Sequence, residues 1–91
     1  MVNKNIFEPA KKRSITIAGH PTSIRIESLF WDELVRVARE SDLPISALVA
    51  RIDAQRLAKN PAPNLASAIR LWLFERAGVA RKSAETVGNA P

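Results

Sequence analysis

Alternation of apolar and polar side chains predicts two short strands near the start of the chain. The segment "TSIRIE" (22–27) alternates Ile24 and Ile26 with polar residues, and "RSITI" (13–17) alternates in the same way. Successive side chains of a strand point to opposite faces, so each segment has one apolar face to bury. Turn-forming residues at 18–21 separate them, since Gly permits positive φ and Pro fixes its own φ. A lone strand of about five residues is not stable in water, so the second strand needs a partner.

Two partners for this second strand remain open. Residues 13–17 either fold back on it as a hairpin or form a single interrupted edge with it. Alternatively, the same strand of a second chain pairs with it, antiparallel and related by two-fold symmetry. In that arrangement Ile24 and Ile26 of both chains cover a shared core, and the outer face carries two copies of Ser23 and Arg25.

Helical spacing replaces the alternation at Leu29 and predicts an amphipathic helix A. Ser28 is its candidate N-cap, and the helix runs to about Glu40 or Ser41, because a residue before Pro avoids the helical region and Pro44 follows shortly. Ser46 is the candidate N-cap of helix B, which covers residues 47–58.

A third helix, helix C, is predicted from Leu65 to about Ala77, with Asn64 as its N-cap and Gly78 as its terminator. Its apolar residues leave little of its circumference polar, which is typical of a helix buried on more than one side. We therefore expect helix C to pack against another subunit as well. The alternative is that some of these side chains are simply exposed. The residues assigned to this further interface are Ile69, Trp72 and Leu73.

Charge is distributed unevenly along the 91 residues, whose formal net charge is +5. Residues 1–25 carry five basic side chains and one acidic, whereas residues 26–60 carry five basic and six acidic. A basic start suits an anionic partner such as nucleic acid, and its plainer alternative is solubility charge on a flexible arm. We expect a flexible basic arm at 1–12, a folded domain at 13–77 and a disordered tail at 78–91.

Candidate catalytic residues are scarce in this sequence. There is no Cys and a single His, His20, which lies in the predicted turn. The three glycines are isolated, so no phosphate-binding loop is present. We expect no enzyme activity, no metal site and no cofactor. No segment approaches the roughly 18 apolar residues of a membrane span, and residues 1–20 lack the apolar core of a secretory signal, so we expect a cytoplasmic, nucleoid-associated protein.

The segment "TSIRIESLFWDELVRVARESDLPISALVARIDAQRLA" (22–58) resembles the ribbon-helix-helix, Arc/MetJ-like, DNA-binding family. Together, "KRSITIAGHPTSIRIE", "FWDEL" and "NLASAIRLWL" are similar to a bacterial subgroup with an added N-terminal strand and a third helix. The resemblance implies a mainly α fold with a short β-ribbon, forming an intertwined ribbon-helix-helix dimer with an additional C-terminal helix. Its predicted dimer core comprises Ile24, Ile26, Phe30, Trp31, Leu34, Leu48 and Ile52.

The resemblance also implies roles for particular positions. Ser23 and Arg25 would contact base edges in the major groove of double-stranded DNA, with Pro21 or His20 at the rim. A plainer alternative for Arg25 is a solvated strand residue, or one paired with Glu27 across the dimer. Glu27 would repel phosphate unless it faces away. Phosphate contacts are expected from two groups, namely Lys11, Lys12 and Arg13, and the start of helix B at Ile45, Ser46 and Ala47.

Two functions therefore compete. The first is a dimeric, sequence-specific transcriptional regulator that inserts an antiparallel two-stranded ribbon into the major groove. The second is a protein-interaction and dimerisation module, such as an antitoxin, in which helix 65–77 docks a protein partner. Homodimers and higher homo-oligomers are compatible with both.

Overall fold

The computed structural model describes the backbone of residues 6–88 and the side chains of residues 6–78. Two strands are followed by three helices. Strand β1 spans Lys11–Ile17 and β2 spans His20–Ile26, while helix α1 spans Ser28–Glu40, α2 spans Ile45–Leu57 and α3 spans Leu65–Gly88. The predicted arm and tail lie partly outside the described residues, and the division into domains stays a prediction.

The strands β1 and β2 of one chain form an antiparallel hairpin. The pairing begins at Ile17 opposite His20 and ends at Lys11 opposite Ile26. Ala18 and Gly19 form the two-residue turn, both with positive φ (49° and 83°), as the favoured type I′ hairpin turn requires. Residues 11–26 therefore form the hairpin and not a single interrupted edge, and pairing with a strand of a second chain stays a prediction. Lys11 and Lys12 belong to β1, so the predicted start of the first strand was two residues late.

Helices α1 and α2 were predicted at the right places, but their N-caps were not. Ser28 is the first residue of α1 and Ser46 lies in the first turn of α2, whereas the N-cap positions are Glu27 and Pro44, neither with a side-chain capping bond. Both cap residues have extended backbone, and Pro44 has the φ of −60° that its ring imposes. The backbone geometry therefore starts each helix one or two residues earlier than the serine hydroxyls suggested.

Helix α1 ends through its backbone at the predicted position. Asp42 adopts a φ of 56°. The N–H of Leu43 donates to the carbonyl of Ala38 over 2.9 Å, and the N–H of Asp42 donates to that of Arg39 over 3.1 Å. This pair of bonds is the Schellman arrangement, and it reverses the chain toward α2.

Helix α3 begins as predicted and ends later. The Asn64 side chain accepts a hydrogen bond from the N–H of Ser67 over 2.8 Å, which confirms it as the N-cap. The helix then runs through Gly78 to Gly88, so the predicted end at Ala77 was wrong. An interior glycine costs a helix only about 1 kcal/mol, and no proline lies between Gly78 and Pro91 to interrupt the helix.

The core lies between the inner face of the hairpin and the three helices. Five of the predicted dimer-core residues are buried within a single chain, and Phe30 and Trp31 are half-buried against the core. Those five are Ile24, Ile26, Leu34, Leu48 and Ile52. The hairpin and the helices of one chain already bury these side chains, and their part in a dimer core stays a prediction.

The residues predicted for a further interface on α3 pack against their own chain. Ile69 and Leu73 are buried against the body of their own chain, and Trp72 packs partly against it. The large apolar side chains exposed on the described part of α3, residues 65–78, are instead Leu71 and Phe74. The apolar residues of α3 thus fall on two sides of the helix. One side packs against the core and the other faces solvent.

Candidate functional site

The outer face of the hairpin is an exposed surface without acidic side chains. Because the antiparallel register aligns the alternation of both strands, the residues whose side chains point away from the core fall on one face. This outer face comprises Lys12, Ser14, Thr16, Pro21, Ser23 and Arg25. All six are exposed, and the two charged ones are both cationic.

Lys12 and Arg25 are directly opposite each other on this outer face. Directly opposed residues of an antiparallel pair have Cβ atoms about 4.5–5.5 Å apart, and like charges at that spacing destabilise the sheet. Among the described residues, neither side chain forms an ion pair. The pair therefore concentrates positive charge at the open end of the hairpin. Its two like charges do not stabilise the fold.

Ser23 and the rim residues follow the predicted placement. Ser23 lies opposite Ser14, which gives the middle of the outer face two small hydroxyl side chains. Pro21 lies opposite Thr16, and His20 closes the turn opposite Ile17, while the Thr22 hydroxyl donates to the His20 carbonyl over 3.4 Å. Both rim candidates thus lie at the hairpin tip, the end farthest from Lys12 and Arg25.

The edge of β2 that faces away from β1 has backbone groups available for pairing. In an antiparallel pair, alternate residues turn their N–H and C=O toward the neighbouring strand. Because the two-residue turn makes Ile17 and His20 a hydrogen-bonded pair, Ser23 and Arg25 turn their backbone groups outward. Pro21 has the same parity, and its missing N–H is tolerated at an edge. The start of α3 lies beside this edge, across a groove of about 360 Å³.

Of the three basic residues predicted to contact phosphate, only Lys12 lies on the outer face. Arg13 points to the inner face, where its guanidinium stacks over the Trp31 ring at 5.1 Å from the ring centroid. Its Nε is buried without a hydrogen-bond partner among the described residues. Lys11 lies 3.7 Å from the carboxylate of Glu8. The structure thus separates Lys12 from its two neighbours in sequence.

Glu27 is held away from the outer face by a partner on α3. The Arg70 guanidinium donates to both Glu27 carboxylate oxygens, over 2.9 and 3.3 Å, and lies 5.9 Å from the centroid of the Phe30 ring. The Arg70 hydrogen bonds, with help from a backbone N–H, lower the pKa of Glu27 below its ordinary value. The carboxylate that would have repelled phosphate therefore has its charge balanced within the chain, and the pair links the end of β2 to α3.

The start of α2 presents fewer free amides than predicted. The N–H of Ala47 donates to the Pro44 carbonyl over 3.0 Å, so that amide is used within the chain. The first two amides of the helix, those of Ile45 and Ser46, have no intrahelical acceptor, which is the general situation at a helix N-terminus. A phosphate contact at this helix start stays a prediction.

The outer-face placement of Lys12, Ser14 and Thr16 was not predicted from the sequence. The signal was available, because Thr16 and Ser14 alternate with Ile15 and Ile17 in the first strand. To use this signal, one needs the register of the hairpin. The register places the polar face of β1 beside the polar face of β2. Within the described part of the chain, no cluster of three or more potential metal ligands occurs, and no helix is long and apolar enough to span a membrane.

Comparisons with known proteins agree with this architecture. The ribbon-helix-helix domain family matches residues 10–77, which include the hairpin, α1, α2 and the first half of α3. No curated protein and no solved structure matches significantly. Proteins with this domain are typically DNA-binding regulators or antitoxins. Since the family matches most of the chain and the strands and helices follow its order, the chain belongs to the ribbon-helix-helix family.

Proposed function

We propose that this protein is a dimeric, sequence-specific DNA-binding regulator that inserts the outer face of its β-ribbon into the major groove. The observation that carries the proposal is the cationic, acid-free outer face, with Lys12 directly opposite Arg25. A two-stranded antiparallel ribbon has the width that the major groove of B-DNA admits. The unpaired charges of Lys12 and Arg25 cost the isolated hairpin stability, and phosphate or base acceptors would offset that cost.

The side chains of the outer face divide between recognition and positioning. Arg25 has the planar donor fork that binds guanine O6 and N7 in the major groove, and the Ser23 hydroxyl bonds to several bases. Lys12 is a point charge suited to phosphate, which positions the ribbon without reading sequence. The first amides of α2, at Ile45 and Ser46, supply a further phosphate contact in this proposal. Arg13 and Lys11 are not assigned to DNA, because each already has a contact within the chain.

The open edge of β2 supports the dimeric part of the proposal. Ser23 and Arg25 turn their backbone groups toward that edge, so a second copy of β2 would pair with it antiparallel. The paired hairpins would form a four-stranded sheet with two-fold symmetry, in which the two central β2 strands are the ribbon that enters the groove. The flanking β1 strands would hold Lys12 beside the phosphates. Such a dimer matches a palindromic DNA site, because the symmetry of the site mirrors that of the protein. Action on DNA implies a cytoplasmic location close to the nucleoid.

The test is selection of bound duplexes from a random pool, followed by binding to the selected duplex across a salt series. The proposal expects an enriched palindrome and an affinity that falls linearly with salt on logarithmic axes. It also expects a clear ratio of specific to non-specific binding at physiological salt, typically about a thousandfold or more. An unenriched pool and no binding even at low salt would contradict the proposal.

A second candidate function within the family is docking of a protein partner, as in an antitoxin. The observation that favours it is the exposure of Leu71 and Phe74, at 64% and 69%. Large apolar side chains that stay exposed together are typical of interaction surfaces. The two functions use different surfaces of the molecule, so one does not exclude the other.

A further inference from the structure

Helix α3 has a second face that the described part of the chain leaves largely uncovered. Its inner face packs on the core through Leu65, Ile69 and Leu73. At about 100° per residue, a second set of positions lies on roughly the opposite side of the helix. We name this set the outward stripe, and it comprises Ser67, Leu71, Phe74 and Gly78.

Spacing along the outward stripe is that of a helix-pairing seam. Its members follow one another at intervals of four, three and four residues, which is the a/d repeat of paired helices. Leu71 and Phe74 are the two most exposed large apolar side chains among the described residues of the three helices. A helix that is apolar on opposite sides is normally buried on both.

Gly78 is a second, independent feature of the same stripe. A Cβ placed at Gly78 would meet nothing within 4 Å, and its φ is not positive, so neither packing nor backbone conformation within the chain requires glycine there. Glycine inside a helix costs about 1 kcal/mol relative to alanine. A glycine on a pairing seam, however, lets a second helix backbone approach closely, which gives the residue a function.

The charges that flank the stripe indicate the occupant. With Leu71 at an a position, Arg70 takes the g position on one side of the seam and Glu75 takes the e position on the other. In a parallel pair of identical helices, each g side faces the e side of its partner, so Arg70 would face Glu75. Glu27 uses two of the Arg70 nitrogens, which leaves the third for this contact. An antiparallel pair would place g beside g and e beside e, so Arg70 and Glu75 would lie on opposite sides of the seam and could not pair.

We propose that a second copy of this chain docks on the outward stripe, with the two α3 helices parallel and in register. The inference goes beyond the DNA-binding proposal and does not depend on it, because it uses the surface of α3 opposite the core. Parallel pairing would also place both hairpins at the same end of the helix pair, since the Glu27–Arg70 contact ties β2 to the first half of α3.

Sedimentation equilibrium of the full chain over a range of concentrations tests the interface. The wild-type protein should have twice the mass of the Phe74→Lys variant, whose association at α3 should weaken by about 30-fold or more. Leu57→Lys is the matched control, because Leu57 is 60% exposed on α2 and lies off the stripe; it should keep the wild-type mass. Equal masses for wild type and Phe74→Lys, with circular dichroism showing both folded, would overturn the proposal and leave the stripe to a foreign protein.

Two further variants test the close approach and the direction. Gly78→Ala should raise the thermal stability of the protein at concentrations where the helices are separate, and should weaken association several-fold. If Gly78→Ala instead raised both the thermal stability and the association, the close approach of two helix backbones at Gly78 would be contradicted. Ser67→Cys adds a cysteine to a chain that has none, and parallel helices should form an intermolecular disulfide there. Antiparallel helices would hold these cysteines about 16 Å apart, so the absence of a crosslink in an associated protein would refute the parallel arrangement.

Short-duplex DNA binding separates this inference from the proposed function. Phe74→Lys should bind the selected half-site with wild-type affinity, because the outer face of the hairpin is unchanged. A protein that associates through α3 and does not bind DNA would support the pairing and contradict the regulator. If the protein binds DNA and wild type and Phe74→Lys have the same mass, the result would support the regulator and contradict the pairing of α3.

Discussion

Lys12 lies directly opposite Arg25 on the outer face of the hairpin, and neither has an acidic partner among the described residues. Replacing Lys12 with Glu should create an opposite-charge cross-strand pair and stabilise the protein by up to about 1 kcal/mol. The same substitution should abolish DNA binding at moderate salt, since a carboxylate would face the phosphates. Chemical denaturation and binding to the selected duplex measure the two effects, whose opposite signs distinguish a binding surface from a structural one.

Alanine substitutions on the same face separate the role of Arg25 from that of Lys12. Lys12→Ala should weaken binding to all sequences and reduce the salt slope by about 0.9 for each phosphate that the side chain no longer neutralises. Arg25→Ala should relax discrimination at one base position, by about 1–3 kcal/mol. Lys59→Ala, an exposed cation after the end of α2, is the control and should change neither quantity. If Lys12→Ala and Lys59→Ala lost the same DNA affinity, the contact with phosphate would not be specific to the outer face of the hairpin.

Arg13 is expected to act in folding, not in DNA binding, because its guanidinium lies over Trp31. Arg13→Ala should cost about 1 kcal/mol, since it removes the cation–π contact and uncovers the ring. Arg13→Met keeps the apolar stem and removes the buried Nε that has no partner, so it should cost less than Arg13→Ala. Unfolding followed by Trp31 fluorescence in a Trp72→Phe background measures both. A reduced DNA salt slope for the methionine variant would contradict this placement.

The sequence predicted which side of a strand is buried better than it predicted what that side packs against. Ile24 and Ile26 were expected to be buried because they alternate with polar residues, and both are buried. What they pack against was not decided by alternation, because a strand within the chain and a strand of a second chain satisfy the same pattern. The turn at Ala18 and Gly19 accounts for the strand within the chain, since two residues with positive φ connect antiparallel strands most directly.

Side-chain contacts between distant segments were beyond the reach of the sequence. Lys11, Lys12 and Arg13 are alike in charge, yet only strand parity and the position of Trp31 separate one outward cation from an inward one. The pairing of Glu27 with Arg70 joins residues 43 positions apart. The end of α3 was missed for a different reason, because Gly78 is a common terminator and its neighbours favour helix strongly enough to continue.

Two of the predicted N-cap residues, Asn64 and Ser46, allow a matched test of whether a predicted cap stabilises its helix. Asn64→Ala should destabilise the protein by about 1 kcal/mol, because its side chain accepts from the Ser67 N–H at the start of α3. Ser46→Ala should change stability by less than about 0.5 kcal/mol, because Ser46 lies inside the first turn of α2 and does not cap it. Urea unfolding of both variants measures the difference. A loss for Ser46→Ala as large as that for Asn64→Ala would indicate that its hydroxyl has a structural contact after all.

The Glu27–Arg70 pair should make stability depend on pH in the acid range. The pKa of Glu27 is lowered in the folded protein by the Arg70 hydrogen bonds, so the unfolded chain binds this proton more readily than the folded one. The stabilisation is therefore fully present above the ordinary glutamate pKa and is lost as the pH falls through the lower, folded value. Glu27→Gln should cost about 1 kcal/mol at neutral pH and progressively less toward low pH.

Glu33 has to be separated from Glu27 in this measurement, because the Arg36 hydrogen bonds on the surface of α1 lower its pKa as well. Glu33→Gln is the control, since it removes a contact within one helix and leaves the link between β2 and α3 intact. The acid loss that disappears in Glu27→Gln but persists in Glu33→Gln belongs to the Arg70 pair. In an Arg70→Gln background, Glu27→Gln should have almost no further effect at any pH. An undiminished effect there would show that the backbone N–H, and not Arg70, determines the shift.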